Sequence, residues 1–154
     1  MPVKPIPAGY HTVTPYLFVN GAARAIEFYQ KAFAAEEVMR CAEHAGKIAH
    51  AEIQIGDSRI MLADEFPEMG VRSPQSIGGS GMCILLYVTD VDARFQRAVA
   101  AGAKVLRPVQ DQFYGDRSGT VEDPFGHMWT FATHKEDVSH EEIQRRMEAA
   151  MKQK

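Results

Sequence analysis

Met82-Cys83-Ile84-Leu85-Leu86-Tyr87-Val88-Thr89-Asp90-Val91, read through to Gly102, decides the fold. Met82 to Val88 is the longest uninterrupted apolar run, right for a buried strand and far short of the ~20 residues of a membrane-spanning helix. Asp90 then offers a carboxylate to cap a helix, Val91, Phe95, Ala98 and Val99 recur at helical spacing, and Gly102 is a C-terminal stop. Beyond it come a short strand at Lys104 to Leu106 and two strands flanking the turn Asp123-Pro124-Phe125-Gly126. The order is strand, helix, strand, strand, strand.

Working towards the N-terminus, the same order returns. Thr12 to Val19 is rich in β-branched and aromatic residues, and Pro15 within it predicts an edge or irregular strand because it cannot donate to a ladder. Asn20 is the expected cap of a helix whose apolar face is Ala22, Ala25, Ile26, Tyr29 and Phe33. A short strand follows at Glu37 to Cys41. From Lys47 to Ile55 the side chains alternate, with His50, Glu52 and Gln54 on one face and Ala49, Ala51, Ile53 and Ile55 on the other. Gly56-Asp57 turns the chain into a last strand at Arg59 to Ala63. Val19 and Val88 stand 69 residues apart, and the same offset lays Met61 on Thr130. A duplicated unit is therefore expected.

Between the halves, Phe66 to Gly81 carries Pro67, Gly70, Pro74, Gly78, Gly79 and Gly81 and reads as a linker. Beyond the second half, Ser139 with Glu142 makes a capping box, opening a helix with the apolar stripe Ile143, Met147, Ala150 and Met151. That stripe needs cover from the domain body or from a second subunit. The organisation expected is a single α+β domain over 1–154: a first module over about 10–66, a linker at 67–81, a second module at 82–134 and a C-terminal helix at 139–152.

The 154 residues carry a formal charge of −3, with 17 basic and 20 acidic side chains. That balance lacks the basic surplus of a nucleic-acid binder, and no membrane partner is expected. The proline-rich start has no apolar signal core, and two cysteines are too few for a disulfide framework. A cytoplasmic location is the expectation.

Several strings, in this order and spacing, resemble the vicinal oxygen chelate superfamily of glyoxalase I, bleomycin-resistance proteins and extradiol dioxygenases. They are Ala25-Ile26-Glu27-Phe28-Tyr29, Tyr87-Val88-Thr89-Asp90-Val91-Asp92 and Asp123-Pro124-Phe125-Gly126-His127-Met128-Trp129. Tyr114-Gly115-Asp116-Arg117 is similar to the PhnB-like, glyoxalase-related branch. The resemblance spans roughly Thr12 to His134. It implies two tandem βαβββ modules forming cupped mixed sheets with helices outside and a ligand cavity inside. It also implies a divalent metal held by one residue from the first and last strand of each module. Here those positions are Thr14, Met61, Cys83 and Thr130. Hydroxyls and a thioether are poor ligands for such ions, one thiol does not hold one, and no one-residue slip restores a ligand set. No metal and no cofactor are expected.

His50 and Glu52, two apart on one strand face, are the candidate catalytic acid/base or substrate-anchoring pair; a hydrogen-bonded polar pair lining a wet cleft is the alternative. Tyr16, Phe18, Gln54, Tyr87 and Met128 are candidate ligand-binding residues on the inferred inner faces, although core filling explains apolar ones equally well. Tyr114, Asp116 and Arg117 bring polar groups to one short loop: Arg117 could clamp an anion, or Asp116 and Arg117 could brace the turn. Asp64 and Glu65 read as a solvated loop entry. The functional expectation is a homodimer that holds a small, partly apolar ligand without the superfamily's metal. The alternative is a glyoxalase-type lyase or isomerase using His50 and Glu52, or an unconventional metal site.

Overall fold

The computed structural model describes residues 2–154, with backbone alone at 42 and 43. The first module runs β1 (Tyr16–Val19), α1 (Ala22–Phe33), β2 (Glu36–His44), β3 (Lys47–Ile55) and β4 (Ser58–Asp64). A linker with the short helix α2 (Pro74–Ile77) leads to β5 (Cys83–Tyr87), α3 (Val91–Ala101), β6 (Lys104–Asp111), β7 (Asp116–Glu122) and β8 (Met128–His134). The chain closes with α4 (His140–Met151).

Each module is a four-stranded mixed sheet, ordered β1-β4-β3-β2 and β5-β8-β7-β6, with the outer pair parallel and the rest antiparallel. The duplication is carried in the register: Tyr16 lies opposite Met61, and 69 residues on Leu85 lies opposite Thr130. β1 is an edge strand that begins after Pro15, whose carbonyl accepts a hydrogen bond from the Met61 amide at 3.0 Å. The missing proline N–H therefore leaves no gap in the ladder.

Leu17 and Val19 on β1, and Trp129 and Phe131 on β8, are fully buried beneath the helices. The two helical layers share one core: the Phe33 ring of α1 packs, tilted, 4.5 Å from that of Trp129 in the second module. Around it, Arg94 donates to the Phe33 carbonyl at 2.7 Å and Arg97 to the Lys31 carbonyl at 2.6 Å, tying α3 to the end of α1. Asp123 is the polar pivot of this joint. Its Oδ2 accepts from the Tyr29 hydroxyl at 2.7 Å and the Trp129 indole at 2.8 Å, while Oδ1 takes the Phe125 and His127 amides. Burial, reinforced by Asp123, pushes the Tyr29 phenol well above its ordinary range. With their helix faces turned to the common core, both sheets present the other face, the cup, away from it.

Two local expectations are corrected. Asn20 does not cap α1: the cap position is Gly21, at φ 101°, which has no side chain to offer. Asp64 is no solvated loop entry but a buried carboxylate that accepts from the Gly21, Ala22 and Ile48 amides at 2.8, 3.0 and 2.7 Å. The α4 stripe docks only in part. Ile143 is half-buried, Met151 is exposed, and the helix is tied down by Arg146 reaching Glu136 and the Phe113 carbonyl. Ser139 does cap it, accepting from the Glu142 amide.

Candidate functional site

The first cup is built by alternation. Because Leu17, Val19, Ile60 and Leu62 point into the core, their neighbours Tyr16, Phe18, Arg59, Met61 and Ala63 are turned to the other face, joined from β3 by His50, Glu52 and Gln54. The sequence brings these together as expected, except at Ala49. That residue is exposed on the cup side while Ile48 is fully buried, so the side-chain alternation slips between Ile48 and Ala51.

At the centre of this face the Tyr16 hydroxyl lies 2.8 Å from His50 Nδ1, and His50 Nε2 lies 3.1 Å from Glu52 Oε1. A neutral imidazole protonated on Nε2 satisfies both bonds, donating to the carboxylate and accepting from the phenol. The result is a continuous proton path from the cup to a carboxylate. Glu52 is held below the usual carboxylate range by the Tyr10 phenol beside it, then by His50 and Arg59. Burial, with Cys41 and Glu52 nearby, raises Tyr16 above its ordinary value. Cys41 lies opposite His50 across the β2–β3 ladder.

Two members of the cluster escaped the sequence reading. Tyr10, in the lead-in before β1, is pushed up to about 12 by burial and by Glu52. Arg59 Cζ sits 6.0 Å from the Tyr10 ring centroid. Arg59 was legible from its place two before Met61 on the same strand face; nothing local to Tyr10 announced its position. Towards its other end the cup becomes apolar, where Phe18, Ala49, Ala63, Phe66, Met69 and Val71 line a cavity of about 400 Å³ with Tyr16.

The second cup carries different chemistry. Cys83 Sγ lies 3.2 Å from Thr130 Oγ1, which lies 2.8 Å from Thr120 Oγ1. Thr120 occupies the place opposite Thr130 that Glu52 occupies opposite Met61. Met128 is half-buried opposite Cys83. At the far end the Tyr87 hydroxyl donates to buried Asp116 at 2.9 Å, and His134 bridges Asp116 and Asp137 at 2.7 and 2.8 Å. These residues and Tyr114 line a cavity of about 490 Å³ beside the start of α4. Arg117 does not pair with Asp116. Its guanidinium grips Asp92 through two bonds of 2.9 Å and reaches Asp111 at 3.2 Å. Gln54 donates to the Gly56 carbonyl and lines, with Tyr87, a groove of about 670 Å³ between the β3–β4 turn and the end of β5. That groove lies apart from the His50–Glu52 relay, which has the richer chemistry, so volume is a poor guide here.

The donor chemistry at the four positions where the resemblance implies a metal does not fit a divalent ion. Thr14 precedes β1 and turns its hydroxyl to the His11 carbonyl; Met61 offers a thioether; Cys83 and Thr130 face each other within the second module. Among the described residues no three His, Cys, Asp or Glu are grouped to hold a metal.

Comparison with known proteins agrees with this architecture. The model of the Glyoxalase/Bleomycin resistance protein/Dioxygenase superfamily matches residues 10–131, and the chain belongs to that superfamily. An uncharacterised protein of Mycobacterium tuberculosis is 47% identical over 138 residues, covering 88% of this chain and 81% of its own. The crystal structure of TioX from a Micromonospora species superposes with a TM-score of 0.64 at 27% identity, over 80% of this chain and 98% of TioX. A PhnB protein from Bacillus cereus, 19% identical, shares the fold with a TM-score of 0.60 over 80% of this chain and 99% of its own.

Proposed function

We propose that the chain binds a small, partly apolar molecule in the first sheet cup and does so without the superfamily's metal. One observation carries this reading: a single sheet face grades from the Tyr16–His50–Glu52 relay into an apolar cavity of about 400 Å³. A few convergent polar groups beside an apolar wall are the usual character of a small-molecule site. The hydroxyl and thioether chemistry of Thr14, Met61 and Thr130 supports metal independence. A second copy would cover the cups: Leu85 and Tyr87 of the second sheet are 44% and 66% exposed, high for apolar strand residues. The partner is therefore a homodimer mate, and the compartment proposed is the cytoplasm.

Thermal-shift screening against aromatic and aliphatic metabolites is expected to yield a stabilising ligand, and Ala63→Phe, which fills the apolar end, to abolish the shift. Retention of full binding by Ala63→Phe removes the first cup from the reading. One full equivalent of zinc, nickel or iron in protein purified without added metal overturns metal independence. The hydrogen-bonded relay favours a second reading, acid–base catalysis of a lyase or isomerase type. In it the Tyr16 oxygen takes a proton from the ligand as its own passes to His50 Nδ1, Glu52 stabilises the imidazolium, and His50→Ala then abolishes turnover.

A further inference from the structure

The segment ahead of β1 passes over the polar end of the first cup. Gly9, at φ 86°, brings the backbone so close to Arg59 that a Cβ there would stand 3.1 Å from its Nε. Tyr10 follows, ring towards the Arg59 guanidinium and hydroxyl beside Glu52. Otherwise the segment is held loosely. Its Tyr10 amide and Thr14 hydroxyl bond back to its own carbonyls, and among the described residues no backbone hydrogen bond joins residues 2–14 to the rest of the chain. Tyr10 is the plug that keeps it in place.

The plug fits imperfectly. Although enclosed, the Tyr10 hydroxyl makes no hydrogen bond of full geometry, and neither does the equally enclosed Arg59 Nε. Buried polar groups in a native fold are normally well paired, so two imperfectly placed donors around one carboxylate leave room there for an occupant that fits it better. The chemistry of that occupant can be read from the walls. A guanidinium accepts the face of an aromatic ring. An ionised carboxylate accepts a hydrogen bond and repels an anion, so the ring must carry a donor.

We propose that the polar end of the first cup is a subsite for an aryl alcohol, its ring against Arg59 and its hydroxyl on Glu52, and that Tyr10 occupies this subsite until an external phenol displaces it. The proposal rests on the reading of the first cup as a small-molecule site and adds to it a ligand class and an internal competitor. Displacement is governed by effective concentration. A side chain on a short tether competes like a ligand on the order of millimolar, so removing it unmasks an affinity that the intact chain conceals.

Isothermal titration with 4-methylphenol and with its methyl ether, 4-methylanisole, tests this. Tyr10→Ala is expected to bind the phenol about tenfold or more tighter than the unmodified protein, and Tyr10→Phe, which keeps the ring, to fall between. Tyr10→Ala combined with Glu52→Gln should lose the gain, and the ether, unable to donate, should bind Tyr10→Ala about tenfold more weakly than the phenol. Equal affinity of the Tyr10→Ala and unmodified proteins, equal affinity for phenol and ether, or no phenol binding by Tyr10→Ala overturns the proposal. If other ligands still stabilise the protein and Ala63→Phe abolishes that effect, only the phenol subsite has failed. If no ligand acts through the first cup, the broader reading has failed with it.

Discussion

The two modules share one chain path but open their helices by different means, and the difference begins with one residue. Gly21 and Asp90 hold the same place, 69 apart. Asp90 caps α3 locally, its carboxylate accepting from the Ala93 amide at 3.1 Å. Gly21 cannot, so in the first module the duty passes to the last strand, where Asp64 reaches back to the first amides of α1. The residue equivalent to Asp64 is Thr133, whose hydroxyl accepts from the Val91 amide at 3.1 Å and donates to the Val88 carbonyl. A buried carboxylate thus serves the first module where a hydroxyl and an exposed cap serve the second. The next pair diverges in the same way. Glu65 ties the linker by accepting from the Ser73 amide and the Ser76 hydroxyl, whereas its equivalent, His134, ties the tail through Asp137.

Substitution should expose this asymmetry most sharply at Asp64. Asp64→Ala leaves three amides, two of them buried, without an acceptor, and a loss of about 3–5 kcal/mol in urea unfolding is expected. Asp90→Ala removes one exposed cap and should lose about 1 kcal/mol. Equal losses would show that the two helix starts are interchangeable after all.

A smaller effect distinguishes the two ties by pH. Ser73 and Ser76 hold the Glu65 carboxyl below its usual range, so this tie is complete above the ordinary glutamate pKa and is lost as pH falls through the lowered one. Asp116, then Asp137, raise His134, so its tie is complete below the ordinary histidine value and is lost as pH rises through the raised one. Acid should loosen the linker and alkali the tail. Amide exchange at Ser73 and near Asp137, corrected for intrinsic pH dependence, should therefore diverge in opposite directions; parallel behaviour would refute it.

The cups differ for a reason visible in the pairing. Where the first module sets Glu52 opposite Met61, the second sets Thr120 opposite Thr130, so a carboxylate stands mid-face in the first cup and a hydroxyl in the second, whose own carboxylate and imidazole lie at its far end. The period-two pattern of β3 made His50 and Glu52 legible as a pair, and Tyr16 and Phe18 as their neighbours. It could not show that Tyr16 closes a relay on His50. Arg117 was ambiguous between clamp and brace because its partners, Asp92 and Asp111, sit on elements distant along the chain or across a ladder.

The sequence alone determined the duplicated βαβββ order, the register offset and, apart from Ala49, the inward faces. Each of these follows from periodicity or from the chemistry of a single residue. The tertiary structure decided which carboxylate caps α1, where Arg117 goes, how far α4 is covered and that Tyr10 lies over Glu52. Those outcomes depend on groups far apart in the chain finding buried donors without acceptors, and local pattern carries no record of such meetings.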